Sequence, residues 1–382
     1  MLYFDHNASS PLLPEARQAW LDAEDRFPGN PSSPHRIGAR VDAALDEARA
    51  KVAGWLGCDA ADIVWTSGAT EACNTALQQV AIAREGASRS SQPEVWVSAI
   101  EHPAVIATAQ RLFPSGARVI PAHPSGVVNL DWLQNNLAGN RPALVALMAA
   151  NNETGVLQPW REARELCAAR EVPFLCDATQ WCGRLPANGL GACTYVAGSA
   201  HKFGGPRGVG FLKCASAPTR LASWQRLLSG GQQQNGRRAG TESVSGILAA
   251  VAAWAWCEQR LASREHETRL QVRTAFERRL TRELQAAKVN GGEVPRLWNT
   301  SSIVLPQLDC RQRWVVKLDK AGFAVSTGSA CASGRERPSH VLTAMGLSPG
   351  EAGAAVRFST GWHTGSEDWE RLLAAILQLS IS

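Results

Sequence analysis

The 382-residue chain has no apolar stretch long enough to cross a membrane. The longest apolar-looking run, Val244 to Cys257, is about fourteen residues, against the ~20 that a span needs. The N-terminus, MLYFDHNASS, lacks a basic start followed by an apolar core, so no signal peptide is expected and the chain reads as cytoplasmic. None of the ten cysteines, at 58, 73, 167, 176, 182, 193, 214, 257, 310 and 331, has a partner at CxxC spacing. That argues against a tetrahedral zinc site, and no metal is expected. Without a secretion signal a disulfide framework is also not expected, and most cysteines read as small buried hydrophobes. There is no basic block and no interleaving of basic with aromatic residues; 39 basic and 34 acidic residues are spread along the chain, for a net charge of +5. Nucleic acid is therefore excluded as a primary ligand. Internal repeats and low-complexity tracts are missing too. Lysine is scarce: Lys51, Lys202, Lys213, Lys288, Lys317 and Lys320 are all there are.

What is present reads as an enzyme. Apolar residues make up 45% and charged residues 19%, ordinary for a soluble globular chain. The length suggests one large domain and a smaller one. Short apolar runs at 62–66, 95–99, 143–149, 172–177, 195–199 and 209–213 alternate with helix-length segments. Each run ends on Gly, Ser, Asn or Asp before a helical pattern begins. This predicts an α/β fold, a mostly parallel sheet wrapped by helices, whose ligands lie beyond the carboxyl ends of the strands. From Thr241 to Ala287 the pattern is long and helical. After Gly291 strands and helices resume at 302–305, 312–320 and 324–327, so a boundary is placed inside the long helix near residue 262.

Several motifs fall at the predicted strand ends. DIVWTSGATEA (62–72) reads strand, glycine turn, helix start, so Ser67, Gly68, Ala69 and Thr70 present N–H groups and a hydroxyl to an anion, or form a plain helix cap. FLCDATQ (174–180) ends a strand on Asp177, either a cap or the acidic partner of a cationic ring nitrogen. GSAHKFGGPRGVG (198–210) sets Lys202 between His201 and a Gly/Pro loop. The other five lysines read as ordinary surface residues, whereas Lys202 can form a Schiff base if its surroundings lower its pKa. Asp177 and Lys202 fit one cofactor between them, and with the glycine turn they point to pyridoxal phosphate. His102, in EHPAV, stacks on a cofactor, shuttles protons or caps a helix that starts at Pro103. Asn151, Asn152 and Glu153 follow a strand, with Gly155 making the turn. STGSACASG (326–334) places Cys331 in a run of the smallest residues, unlike the apolar or helical surroundings of the other nine cysteines.

In order, YFDHNASSP, FPGNPSSPHRIG, TSGATEA, EHPAV, ANNETGV, CDATQ, SAHKFGGPRGVG, RRAGTE, STGSACASG and AAVRFSTG resemble the cysteine desulfurases, a fold type I pyridoxal phosphate family of the class V aminotransferase group. The resemblance implies a large domain over 14–262 with a mostly parallel, seven-stranded-type sheet, and a smaller α+β domain of 1–13 and 263–382. Lys202 would carry pyridoxal 5'-phosphate, Asp177 would bond its ring nitrogen, and Gln180 and Asn152 would lie near the ring oxygen. His102 would stack over the ring; Ala69, Thr70, Ser199 and His201 would hold the phosphate. Thr241 would reach the phosphate of the neighbouring subunit, implying a homodimer. Arg357 would clamp the carboxylate of L-cysteine, helped by Asn152; read from residues alone it is a surface salt bridge on a strand.

The reaction so implied converts L-cysteine to L-alanine, with the sulfur held as a persulfide on Cys331 and passed to an acceptor protein. The sequence departs from the family's usual pattern at Ser9 and Ser10 (for threonines), Gln234 (for glutamate), Ala239 (for serine) and Ser243 (for asparagine). The small-residue run around Cys331 is similar to the mobile-loop subgroup, which includes the nitrogen-fixation and housekeeping iron–sulfur types. The chain stops some 25 residues past Arg357, and we expect an acceptor in tRNA, cofactor or DNA sulfur chemistry rather than an iron–sulfur cluster scaffold. A selenocysteine lyase, or another class V enzyme, would keep Lys202 and Asp177 without needing Cys331. A non-catalytic sulfur-transfer homologue would not need the intact set.

Overall fold

The computed structural model describes residues 1–82, 93–214, 224, 226–306, 313–327 and 338–381. Its strands are β1 (Leu2–Tyr3), β2 (Ile63–Thr66), β3 (Val95–Ser98), β4 (Ala117–Ile120), β5 (Leu144–Ala146), β6 (Phe174–Asp177), β7 (Tyr195–Ser199), β8 (Gly210–Cys214), β9 (Lys288–Val289), β10 (Thr300–Val304), β11 (Phe323–Ala324) and β12 (Ala355–Ser359). Seven form one sheet in the order β2-β8-β7-β6-β5-β3-β4. The pairs β4–β3, β3–β5, β5–β6 and β6–β7 are parallel, while β8 runs antiparallel to both β7 and β2. The expected α/β architecture with a mostly parallel sheet is therefore present.

The sheet is buried on both faces, as parallel sheets are. Along β6, Phe174 and Cys176 join the core on one side, with the helices Arg36–Leu56 and Val244–Ala262. Leu175 joins the other, with the helices Ala69–Ile82 and Pro103–Leu112. This two-residue alternation fixes the register, since a one-residue slip would exchange the two faces. Burial on both sides also explains why these strands read as continuous apolar runs. The glycine at the start of β8 has a steric reason: a Cβ on Gly210 would lie 2.6 Å from the Gly68 Cα. The turn entering the Ala69–Ile82 helix thus sits backbone to backbone against the sheet.

The helical stretch after Thr241 is two helices, not one. Val244–Ala262 and Glu265–Glu283 are separated at Arg264, whose φ of 59° is left-handed. The first helix is predominantly apolar, burying Ile247, Trp254 and Leu261 among others, while the second is largely polar and buries Arg273, Phe276, Glu277 and Leu280 along one face. Beyond it, β9, β10 and β12 form an antiparallel sheet, and β1 pairs in parallel with β11.

One lysine departs from expectation. Lys213 is buried in β8, not on the surface; its Nζ donates to Cys193 O at 2.8 Å and lies 3.8 Å from Asp62 Oδ2. Seven of the eight described cysteines are buried and Cys58 is partly so, as small hydrophobes. Cys310 and Cys331 lie outside the described residues. Among the described residues no helix is long and apolar enough to cross a membrane, and no cluster of metal-ligating side chains is found.

Candidate active site

A cavity of about 540 Å³ opens at the carboxyl ends of β6 and β7, where open α/β sheets place ligands. Asp177 and Ser199 are the last residues of those strands, and His201 and Lys202 occupy the 3₁₀ turn that follows β7. Ala69 and Thr70 open one flanking helix and His102 caps another. Asn152 and Gln180 stand on turns beyond β5 and β6, and Arg357 comes from the centre of β12. All ten of these predicted residues line the same cavity. Thr241 does not; it is exposed.

Lys202 is held by backbone, not by a counter-charge. Its Nζ donates to Asn7 O at 2.7 Å and Ala8 O at 2.8 Å. Burial, then the positive charges of Arg184 and Arg357, push its pKa down to about 7, with Asp177 and Asp5 opposing. A lysine in that state offers a neutral amine near neutral pH. Arg184 is buried and likewise held by neutral oxygens, donating to Gln180 Oε1 at 2.7 Å and Lys202 O at 2.9 Å. Burial pulls its pKa down to about 10.

His102 Nδ1 accepts the Ala104 N–H at 3.1 Å, the capping role, which leaves the proton of the neutral ring on Nε2. Burial lowers its pKa, and Asp177 opposes that shift. Burial likewise takes His201 down to about 4; its Nδ1 is 3.2 Å from Ser9 Oγ. Asp177 accepts the Thr179 N–H at 2.9 Å. Behind this wall Glu101 is fully buried, and burial pushes its carboxyl up to about 8.

Two expectations are modified. Gln180 lines the cavity, but both ends of its amide are engaged: Nε2 donates to Asn7 O at 3.0 Å and Oε1 accepts from Arg184. Arg357 is not a surface residue; it is 2% exposed, donating to Asn152 O at 3.0 Å and Asp5 Oδ1 at 2.6 Å. The segment carrying Cys331 lies outside the described residues, but one of its flanks meets the lining residue Arg357 and the other meets residues next to the lining residues His102 and Asn152. On one side Ser326 pairs with the backbone of Arg357. On the other, Ser339 Oγ donates to Glu153 Oε2 at 2.5 Å and His340 Nε2 meets Glu101 O at 2.8 Å.

The departures at Ser9, Ser10 and Gln234 have local reasons. Ser10 Oγ donates to Lys202 O at 3.0 Å, and Ser9 Oγ meets His201, so both positions keep a working hydroxyl. Buried Gln234 accepts the Trp65 N–H at 3.1 Å and donates to Glu242 Oε1 at 2.6 Å. Only an amide does both; a glutamate there would face Glu242 with like charge. Nothing in the structure explains Ala239 or Ser243.

Residue-pattern reasoning missed the N-terminal strap and Arg184. Asp5, Asn7, Ala8, Ser9 and Ser10 together contact Arg357, Lys202, Gln180 and His201. Many of those contacts use main-chain oxygens, which leave no side-chain signature. The DHNASSP motif was visible, its task was not.

The cavity fits pyridoxal phosphate. One end has the N-terminus of the Ala69–Ile82 helix, whose first N–H groups lack intrahelical partners, beside Ser199. A Cβ on Gly68 would stand 3.5 Å from Ser199 Oγ and fill the cradle. The other end has a carboxylate, Asp177, suited to a protonated ring nitrogen, and the same lining carries the Lys202 amine, whose pKa is lowered to about 7. Thr179, also in the lining, has a buried Oγ1 with no hydrogen-bond partner.

A family model described as Aminotransferase class-V matches residues 2–372. A cysteine desulfurase of Trichormus azollae is 35% identical over 389 residues, covering 99% of this chain and 92% of that protein. Among solved structures, a NifS-like protein from Rickettsia africae is similar over 100% of both chains, with a TM-score of 0.85 and 27% identity. SspA, solved in complex with cysteine, is similar with a TM-score of 0.78 and 26% identity, over 96% of this chain and 100% of that one.

Proposed function

The chain belongs to the class-V aminotransferase family, among its cysteine desulfurases, and from that premise we propose how its residues share the work. The protein is a pyridoxal phosphate-dependent sulfurtransferase acting on L-cysteine. The observation that carries the assignment of roles is the gathering, in one cavity, of a lysine whose pKa is brought down to about 7, a strand-end carboxylate and a buried guanidinium.

When bound, pyridoxal phosphate supplies a cationic ring that draws electrons from the Cα of the amino acid it holds. Lys202 holds the cofactor and then moves protons at the substrate Cα, which its depressed pKa allows near neutrality. Asp177 keeps the ring nitrogen protonated. Ala69, Thr70, Ser199 and His201 bind the phosphate. His102 would face the ring and offer Nε2–H as a proton donor, the tautomer set by the Ala104 bond. Asn152 and Gln180 border the ring oxygen, Gln180 through its position rather than a free amide. Arg357 orients the substrate carboxylate. A thiolate on Cys331 attacks the substrate sulfur: the carbon–sulfur bond breaks as the sulfur–sulfur bond forms, leaving a persulfide and L-alanine. The step needs no outside oxidant or reductant.

Exposed Thr241, standing off its own chain's cavity, supports a homodimer in which it completes the neighbouring site. The break at Arg264 supports a large domain of 14–262 and a small one of 1–13 and 263–382. The enzyme works in the cytoplasm and passes its sulfur to a protein acceptor.

The test is mass spectrometry of the holoenzyme after L-cysteine treatment. The mass of one sulfur atom is expected on the peptide carrying Cys331, with alanine released. Full-rate sulfide release by Cys331→Ser in the presence of an acceptor protein would contradict the persulfide role.

A further inference from the structure

We propose that Asp5 is a positioning residue for Arg357 and so a determinant of selectivity for substrates that carry a carboxylate. This rests on the reading of Arg357 as the substrate clamp. Arg357 is 2% exposed and shares its surroundings with two further cationic groups, Arg184 and Lys202. A buried guanidinium in such company needs both a counter-charge and a fixed orientation. Asp5 supplies the first, with Oδ1 accepting from Nη2 at 2.6 Å. Asp5 and Asn152 together supply the second. Nη1 donates to Asn152 O at 3.0 Å, and a planar fork tied at two nitrogens cannot turn about its stem.

Asp5 is itself held rigidly. It bridges Ser359, two residues beyond Arg357 on β12. His6 N donates to Ser359 O at 3.1 Å and Ser359 N to Phe4 O at 2.8 Å. The carboxylate and the guanidinium therefore ride on one zipped pair of segments. Asp5 remains partly exposed at 23% of its side chain, so its charge is kept in water's reach while that of Arg357 is not. Without Asp5 the guanidinium loses its carboxylate contact, one of those that aim it, and the substrate carboxylate meets a clamp that is no longer set.

The experiment measures kcat and KM of the holoenzyme for L-cysteine in Asp5→Asn, Asp5→Glu and Arg357→Lys, together with inhibition by cysteamine, which lacks the carboxylate. Asp5→Asn is expected to raise KM about tenfold or more, the scale of one charge-assisted hydrogen bond, and to exceed any change in kcat. Inhibition by cysteamine should stay as in the wild type, because that ligand never meets the clamp. Asp5→Glu keeps the charge but displaces it by one methylene, and should raise KM by a smaller factor. Should Asp5→Asn not load cofactor, the KM of Asp5→Glu decides. A KM that is unchanged overturns the proposal, and so does a lower one, since Asp5 would then be competing with substrate. Arg357→Lys separates the two levels. If it leaves KM unchanged, the clamp reading itself fails; if it raises KM while Asp5→Asn does not, only the role of Asp5 fails.

Discussion

Two clusters of buried charge in this molecule are built on opposite principles. Around Glu277 the charges close on one another. Arg296 grips the carboxylate with both nitrogens at 2.7 Å, Ser301 Oγ adds a bond at 2.6 Å, and Arg273 Nε stands 3.9 Å away. Burial pushes the Glu277 carboxyl up, but these partners overcome it and hold the pKa below the ordinary value. Around Lys202 the cations are held mostly by neutral oxygens, and burial with two neighbouring arginines pushes the amine towards neutrality. The first arrangement fastens the Glu265–Glu283 helix to β10 and the loop before it. The second pairs Arg357 with Asp5 but gives Lys202 and Arg184 only neutral oxygens among the described residues, where a reaction needs a free amine. The carboxylate at the centre of the first cluster is fully engaged and ties elements together, whereas the amine at the centre of the second is perturbed, as groups at functional sites tend to be.

Exchanging the two kinds of charge should produce opposite effects. Lys202→Met removes the reactive amine, and activity with L-cysteine should fall at least about 10³-fold with loss of the visible cofactor band. Thermal unfolding of the cofactor-free variant should nevertheless match or exceed that of the wild-type apoprotein, because a desolvated amine has been replaced by an apolar chain of similar length. A marked fall in melting temperature would break the contrast. Glu277→Gln should do the reverse. Removing one partner of a buried pair costs about 3–5 kcal/mol, readable by denaturant unfolding, while KM for L-cysteine stays near the wild-type value. In the wild type this cluster's contribution is present above the ordinary carboxylate pKa of 4.5 and is lost as pH falls through the lower folded value. His102→Gln sits between the extremes. With its cap contact weakened and its proton donor gone, turnover should drop about 10²-fold while the cofactor band stays. Unaltered turnover would reduce His102 to a helix cap.

The sequence pattern announced the site far better than it announced the site's supports. Strand ends, glycine turns and scarce lysine are side-chain signals, so Asp177, Lys202 and His102 could be singled out and do share one cavity, whereas Arg357, in the same lining, was reached only through the family resemblance. Strand β4 escaped notice because it is an edge strand, with Val119 55% exposed and little apolar continuity. The antiparallel entry of β8 was hidden because a fully buried strand looks the same in either direction. The break at Arg264 carries no glycine or proline, so one helical pattern ran through it. Lys213 was misread for a related reason: a lysine on a buried strand finds a carbonyl and an aspartate that are distant in sequence. The contacts that Asn7 and Ala8 make to Lys202 and Gln180 are carbonyl contacts, which any residue type supplies.

The lowering of the Lys202 pKa by the pocket is tested most directly by the pH dependence of cofactor capture. Apoprotein is mixed with pyridoxal phosphate across a pH series, the bond to the enzyme is trapped by borohydride, and the labelled lysine is identified. The account predicts labelling at Lys202 with a midpoint near pH 7, the value to which burial and the neighbouring arginines bring it. A midpoint close to 10.5, the ordinary lysine value, or labelling at another lysine, would contradict it.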